Sequence, residues 1–111
     1  MSADKWKEAK LRAYVNEKRT VCEVCGRAPA TDAHHAIVKR DKNNKKVDNI
    51  INVQMVCHKC HMEGKADGYK NMTKAVDKAV ERYGREAVIE WLKSLNKEVG
   101  EQLVYLENKN E

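Results

Sequence analysis

Two CxxC pairs, Cys22 with Cys25 and Cys57 with Cys60, stand 31 residues apart and constrain this chain more tightly than any other feature. At 111 residues the chain fits one domain, 1–111, and so short a chain buries too little apolar surface to hold a large irregular core unaided. A staple is therefore expected. With no signal peptide ahead of the pairs, thiolate ligation in a reducing, cytosolic setting outranks disulfides. Four soft thiolates close tetrahedrally around one Zn2+ and leave no coordination position for water, so Cys22, Cys25, Cys57 and Cys60 are expected to hold the fold rather than do chemistry. Gly26 suits the tight knuckle such ligands need. The plain alternative is two thiol pairs that coincide by chance.

Charge points toward a polyanionic partner. Lys and Arg number 22 against 17 for Asp and Glu, a formal +5, with a pI near 9.0. The excess is +3 over residues 1–19, +3 over 20–70 and −1 over 71–111, so attraction to phosphates concentrates on the cysteine-bearing segment and the stretch before it. Nothing approaches the roughly 18 consecutive apolar residues of a membrane span.

Three regions follow along the chain: a basic N-terminal helix (1–20), a metal-bound core (21–70) and a helical C-terminal extension (71–111). Residues 4–19 are good helix formers, with Asp4 near the start and Lys18 and Arg19 near the end; Trp6, Ala9, Ala13 and Tyr14 form an apolar stripe expected to pack on the zinc core. AHHAIV (33–38) and IINVQMV (50–56) read as the strands of a hairpin, with a polar loop between them and a helix beginning near the second CxxC pair. Gly64 and Gly68 mark that helix's end and a turn. Beyond them, Ala75, Val76, Ala79, Val80 and Tyr83 recur at helical spacing after a Thr73 cap, and Ala87, Val88, Trp91, Leu92 and Leu95 do so after Gly84. Residues 97–106 fit a strand or a further helix equally well.

The histidines carry the chemistry. CEVCG, DAHHAI and NVQMVCHKCH follow one another over residues 22–61, and in this run the chain resembles the HNH nucleases: CxxCG, a histidine pair before an aliphatic residue, then Asn, aliphatic, CxxCH. The resemblance implies a small α+β fold with a ββα-metal, treble-clef-like core around the four-cysteine zinc site, flanked by N- and C-terminal helices. It implies that His35 is the general base, that His34 and His61 hold a catalytic divalent ion, and that Asn52 orients the base or reaches the ion. Asn49, three residues earlier, fits the motif worse and reads as a turn residue. His58 has no counterpart among the family's functional positions and is expected to be exposed. Where many relatives carry Asp or Glu this chain has His34, so the catalytic ion is left open among Mg2+, Mn2+, Ni2+, Co2+ and Zn2+.

The implied activity is endonucleolytic hydrolysis of DNA, double-stranded by the same resemblance, leaving a 5′ phosphate and a 3′ hydroxyl. An imidazole with an ordinary pKa near 6.5 can take the proton from an attacking water at neutral pH without special activation. Compact HNH proteins are often carried by phages or mobile elements, which implies a bacterial or phage-infected cytoplasm. Lys39 and Arg40, just after the histidine strand, are expected to meet phosphate; Asp41 and Asp48 read as solvated loop acids, with extra ligation as the alternative. The extension from 71 to 95 reads as an appendage that positions DNA or contacts protein. Two rival readings remain: a non-catalytic treble-clef zinc module that binds nucleic acid or a protein, and a regulatory or inhibitory protein that reuses the scaffold against a host partner.

Overall fold

In a computed structural model that describes residues 5–66 and 68–108, apolar periodicity sorts the chain into five α-helices and one two-stranded sheet, a small α+β arrangement. Lys5–Leu11 forms α1, and the chain continues through a wide π turn, Arg12–Asn16, in which the Glu17 amide reaches back to the Arg12 carbonyl. Ala9 and Ala13 are buried one turn apart, while Tyr14, one position further round, stays 45% exposed. The expected stripe therefore loses Tyr14, and this face packs on β2 (Val53, Met55) and on Ala30 just before β1 rather than on the cysteines.

The sheet is shorter than its apolar runs. β1 is Asp32–His35 and β2 is Val53–Val56, antiparallel, with Asp32 opposite Val56 and His35 opposite Val53. Ala36, Ile37 and Val38 leave the ladder because Ile37 and Val38 turn their amides to the Asn52 side chain, at 2.8 and 3.0 Å. Ile50–Asn52, expected in the second strand, is a 3-10 turn whose cap is Asn49, a turn residue as its spacing suggested. Cross-strand partners share a face, so Ala33 and His35 lie with Met55 and Val53 toward α1, and Asp32 and His34 lie on the opposite face with Val56 and Gln54.

After β2, α2 (His58–Met62) carries the second cysteine pair's far half. α3 (Tyr69–Tyr83), α4 (Arg85–Ser94) and α5 (Gly100–Asn108) follow. Residues 97–106 thus resolve toward helix. The cap of α3 is Gly68, not Thr73, whose hydroxyl donates to the Lys70 carbonyl inside the helix. Gly84 ends α3 and starts α4 at φ 97°, a conformation open to glycine and strained for other residues. Met72, Val76 and Ala79 of α3 meet Val88, Trp91 and Leu92 of α4, and Ile37, Val38 and Val47 complete that core. The extension builds the largest apolar cluster among the described residues and buries the chain that follows the histidine pair.

The loop between the strands does not stand free as a hairpin tip. Lys97 pairs with Asp41 at 2.8 Å, Asn44 donates to the Leu95 carbonyl, and the Trp91 indole donates to the Lys46 carbonyl at 2.8 Å. Two buried amides, Gln54 and Asn71, exchange both their hydrogen bonds and join β2 to α3. Among the described residues no helix is long and apolar enough to cross a membrane.

Candidate functional site

Two knuckles bring the four thiols together. The Sγ atoms of Cys22, Cys25, Cys57 and Cys60 all lie within 4.8 Å of one another, with Cys25 and Cys57 at 4.0 Å. Sulfurs on the corners of a Zn2+ tetrahedron stand about 3.8 Å apart for a bond near 2.3 Å, so the group has the spacing to hold one such ion. The amides of Val24 and Cys25 point at the Cys22 sulfur, and the Cys60 amide at the Cys57 sulfur, each at 3.4 Å, a partnership that favours thiolate. Gly26 takes φ 70° in the first knuckle, where its amide closes on the Cys22 carbonyl. The amides of Ala28 and Arg27 bring the Cys25 thiol down to about 6, whereas burial and the neighbouring sulfurs push Cys60 up to about 12. A divalent cation in the cluster would supply the positive charge that lets the buried sulfurs ionise.

The imidazoles divide between the two faces of β1. His34 and His61 come together, ring centroids 5.5 Å apart. His61 Nδ1 donates to Asp32 Oδ2 at 2.9 Å, which leaves Nε2 as the nitrogen that could take an ion. The same carboxylate oxygen receives His58 Nδ1 at 3.1 Å; His58 is exposed, as expected, but not unpartnered. These hydrogen bonds, His61's first, hold the Asp32 carboxyl below its ordinary range. Among the described residues the four cysteines alone bring three or more potential ligand atoms this close together, so the donors of Asp32, His34 and His61 do not yet converge.

His35 lies on the other face. Its ring stacks on Trp6 of α1, centroids 3.6 Å apart and planes 12° from parallel, and its Nε2 donates to Asp48 Oδ1 at 2.8 Å. Asp48 is no solvated loop acid: its side chain is 11% exposed, as is that of His35. Burial pushes the imidazole down from its ordinary value and outweighs the opposing pull of Asp48, so the neutral ring prevails at neutral pH with Nδ1 as the proton acceptor.

Asn52 is fully buried and fully spent. Its oxygen accepts from Ile37 and Val38, and its nitrogen donates to the carbonyls of Val38 and Val47 at 2.8 and 3.0 Å. Its side chain therefore neither hydrogen-bonds to His35 nor has an atom to offer a cation. Its role is to pin both ends of the loop that leaves His35 and returns with Asp48.

His34 and His35 both line a cleft of about 770 Å3 on the side of β1, with Lys39, Tyr69 and Met72. Lys97, Glu98 and Glu101 add mixed charge to its far wall. Arg40 is exposed, and its charge is near enough to help depress His35. Three contributors escaped the sequence reading. Asp32 had a usable signal, since strand alternation puts it beside His34; Asp48 and Trp6 had none, because only the packing of loop and helix brings them to His35. No family model, curated protein or solved structure matches the chain.

Proposed function

We propose that the chain is a metal-dependent endonuclease of the HNH type that hydrolyses DNA, built on a treble-clef-like zinc core. The observation that carries this reading is the shared cleft: His34 and His35, on opposite faces of β1, both reach it, with Lys39 beside them and the His61 ring next to His34. In this reading His34 and His61 hold the catalytic divalent ion, Asp32 fixes the His61 tautomer, and Lys39 with Arg40 meets flanking phosphates. The cation supplies charge neutralisation at the scissile phosphate and the departing oxygen. His35 Nδ1 takes one proton from the attacking water as its oxygen bonds to phosphorus, the bond to the 3′ oxygen breaks, and that oxygen is protonated by solvent. The products are a 5′ phosphate and a 3′ hydroxyl. Asp48 fixes the tautomer that leaves Nδ1 unprotonated and steadies the imidazolium that forms, while Asn52 holds the loop that delivers Asp48.

A second reading, the non-catalytic zinc module, is favoured by one observation: among the described residues only the thiols are gathered closely enough to take an ion. Supercoiled-plasmid cleavage across Mg2+, Mn2+, Ni2+, Co2+ and Zn2+, with metal counted in each sample, separates the two. The nuclease nicks, binds an exchangeable ion beyond one tightly held zinc, and loses roughly two orders of magnitude or more of its rate in His35→Ala with the fold intact. His34→Ala loses the exchangeable ion. One zinc and no nicking under every ion would leave only the module.

A further inference from the structure

We infer that the groove between α1 and β1 is a second nucleic-acid contact, which takes an unpaired base beside the phosphate held in the histidine cleft. The groove encloses about 630 Å3, with Lys7, Lys10 and Leu11 of α1 and Tyr14 of the π turn along one side and Ala33 and Met55 beneath. Leu11 is 62% and Tyr14 45% exposed, an apolar and aromatic surface that the fold leaves uncovered next to two lysines. The lysines suit phosphates. The exterior of a duplex, all sugar and phosphate, gains nothing from the apolar floor or the phenol ring, whereas the flat face of an unstacked base is covered by both. Tyr14 stands out from the buried Ala13 side on the π turn Arg12–Asn16, a backbone form concentrated at functional sites.

Continuity with the histidine site supplies the second support. Trp6 lines this groove and stacks on His35, which lines the cleft, so one ring contact joins the two across β1. Asp32 is the one acidic residue along the groove, and its carboxylate is engaged on the opposite face by His58 and His61. The inference rests on the nuclease reading and deepens it by naming the form of substrate: DNA with an unpaired stretch next to the scissile bond.

The test is binding, not cleavage. Fluorescence anisotropy compares a labelled single strand with the blunt duplex of the same sequence, using zinc-loaded protein without added magnesium or manganese. The single strand binds more tightly; Tyr14→Ala weakens it about tenfold, an ordinary value for one stacked base, and moves duplex binding less than about twofold, while Tyr14→Phe binds as the wild type does. Lys7→Gln with Lys10→Gln lowers the salt slope for the single strand by roughly 1.4, the value for two phosphates. Equal losses for both forms, or no loss in Tyr14→Ala, overturn the inference. So does an acidic, aromatic peptide whose binding depends on Tyr14 while oligonucleotide affinity does not. Absence of plasmid cleavage with Tyr14-dependent strand binding retained would sink the nuclease reading and leave the groove assigned.

Discussion

Asn52 concentrates more of the structure in one side chain than any other residue near the site. Removing its amide leaves the buried amides of Ile37 and Val38 and the carbonyls of Val38 and Val47 short of partners. Each unmet buried group costs about 1–3 kcal/mol, so Asn52→Ala should lose about 3 kcal/mol or more in urea unfolding. His35→Ala should lose less, because it strips one hydrogen bond, to Asp48, and the Trp6 stack, where Asn52→Ala strips four buried bonds. An equal cost for the two would contradict a structural Asn52. Tyr83 yields a prediction about alkali. Burial, then its 2.8 Å hydrogen bond to Glu17, pushes the phenol up to about 12 from an ordinary 10.0. A raised pKa means the fold favours the protonated phenol: that contribution is whole below pH 10.0 and drains away as pH climbs through about 12. The stability of the wild type should therefore fall more steeply over that window than that of Tyr83→Phe, and tyrosinate absorbance should show a correspondingly late phenol.

At the scale of elements, the two strands and the helices on either side of Gly84, α3 and α4, were legible in the sequence because apolar spacing records which face is buried, whereas α5 read equally as strand. Strand lengths were not, since Ala36, Ile37 and Val38 are as apolar as a strand requires and leave the sheet only because a distant amide captures two of them. The polar loop was misread for a related reason. Its lysines and asparagines look solvated, yet Asn44 and the Lys46 carbonyl are partners for α4 and its end, which composition cannot reveal. That docking places Asp48. Trp91→Phe removes the bond to the Lys46 carbonyl at a cost of about 1 kcal/mol and should loosen the Asp48 to His35 contact. The ring nitrogen signals of His35 in NMR should then shift toward mixed tautomers, with zinc content unchanged. A His35 signal identical to the wild type's would show that the loop holds Asp48 without the helices.

For the molecule as a whole, the buried apolar residues among those described fall into three clusters, which would depend to different degrees on an ion held by the thiols. The cysteines share theirs with only Val56 and Ala66 among the buried residues, too little to hold two knuckles together unaided. The α3–α5 cluster contains thirteen buried residues, none of them a cysteine, and draws in Ile37, Val38 and Val47. Arg19, Glu23 and Arg82 link the two bodies: Glu23 receives Arg19 at 3.3 Å and Arg82 at 3.0 Å while also accepting the Met55 amide. If the thiol cluster holds zinc, stripping it should therefore dismantle the protein in part. A strong chelator should erase the amide signals of residues 21–30 and 57–66 and weaken the β1–β2 pairing, while α3 and α4 keep most of their helical circular dichroism; one equivalent of Zn2+ should restore the rest. Helix loss in step with the knuckles would mean that the large cluster cannot stand without the thiolate site, and that the link through Glu23 transmits folding between the two.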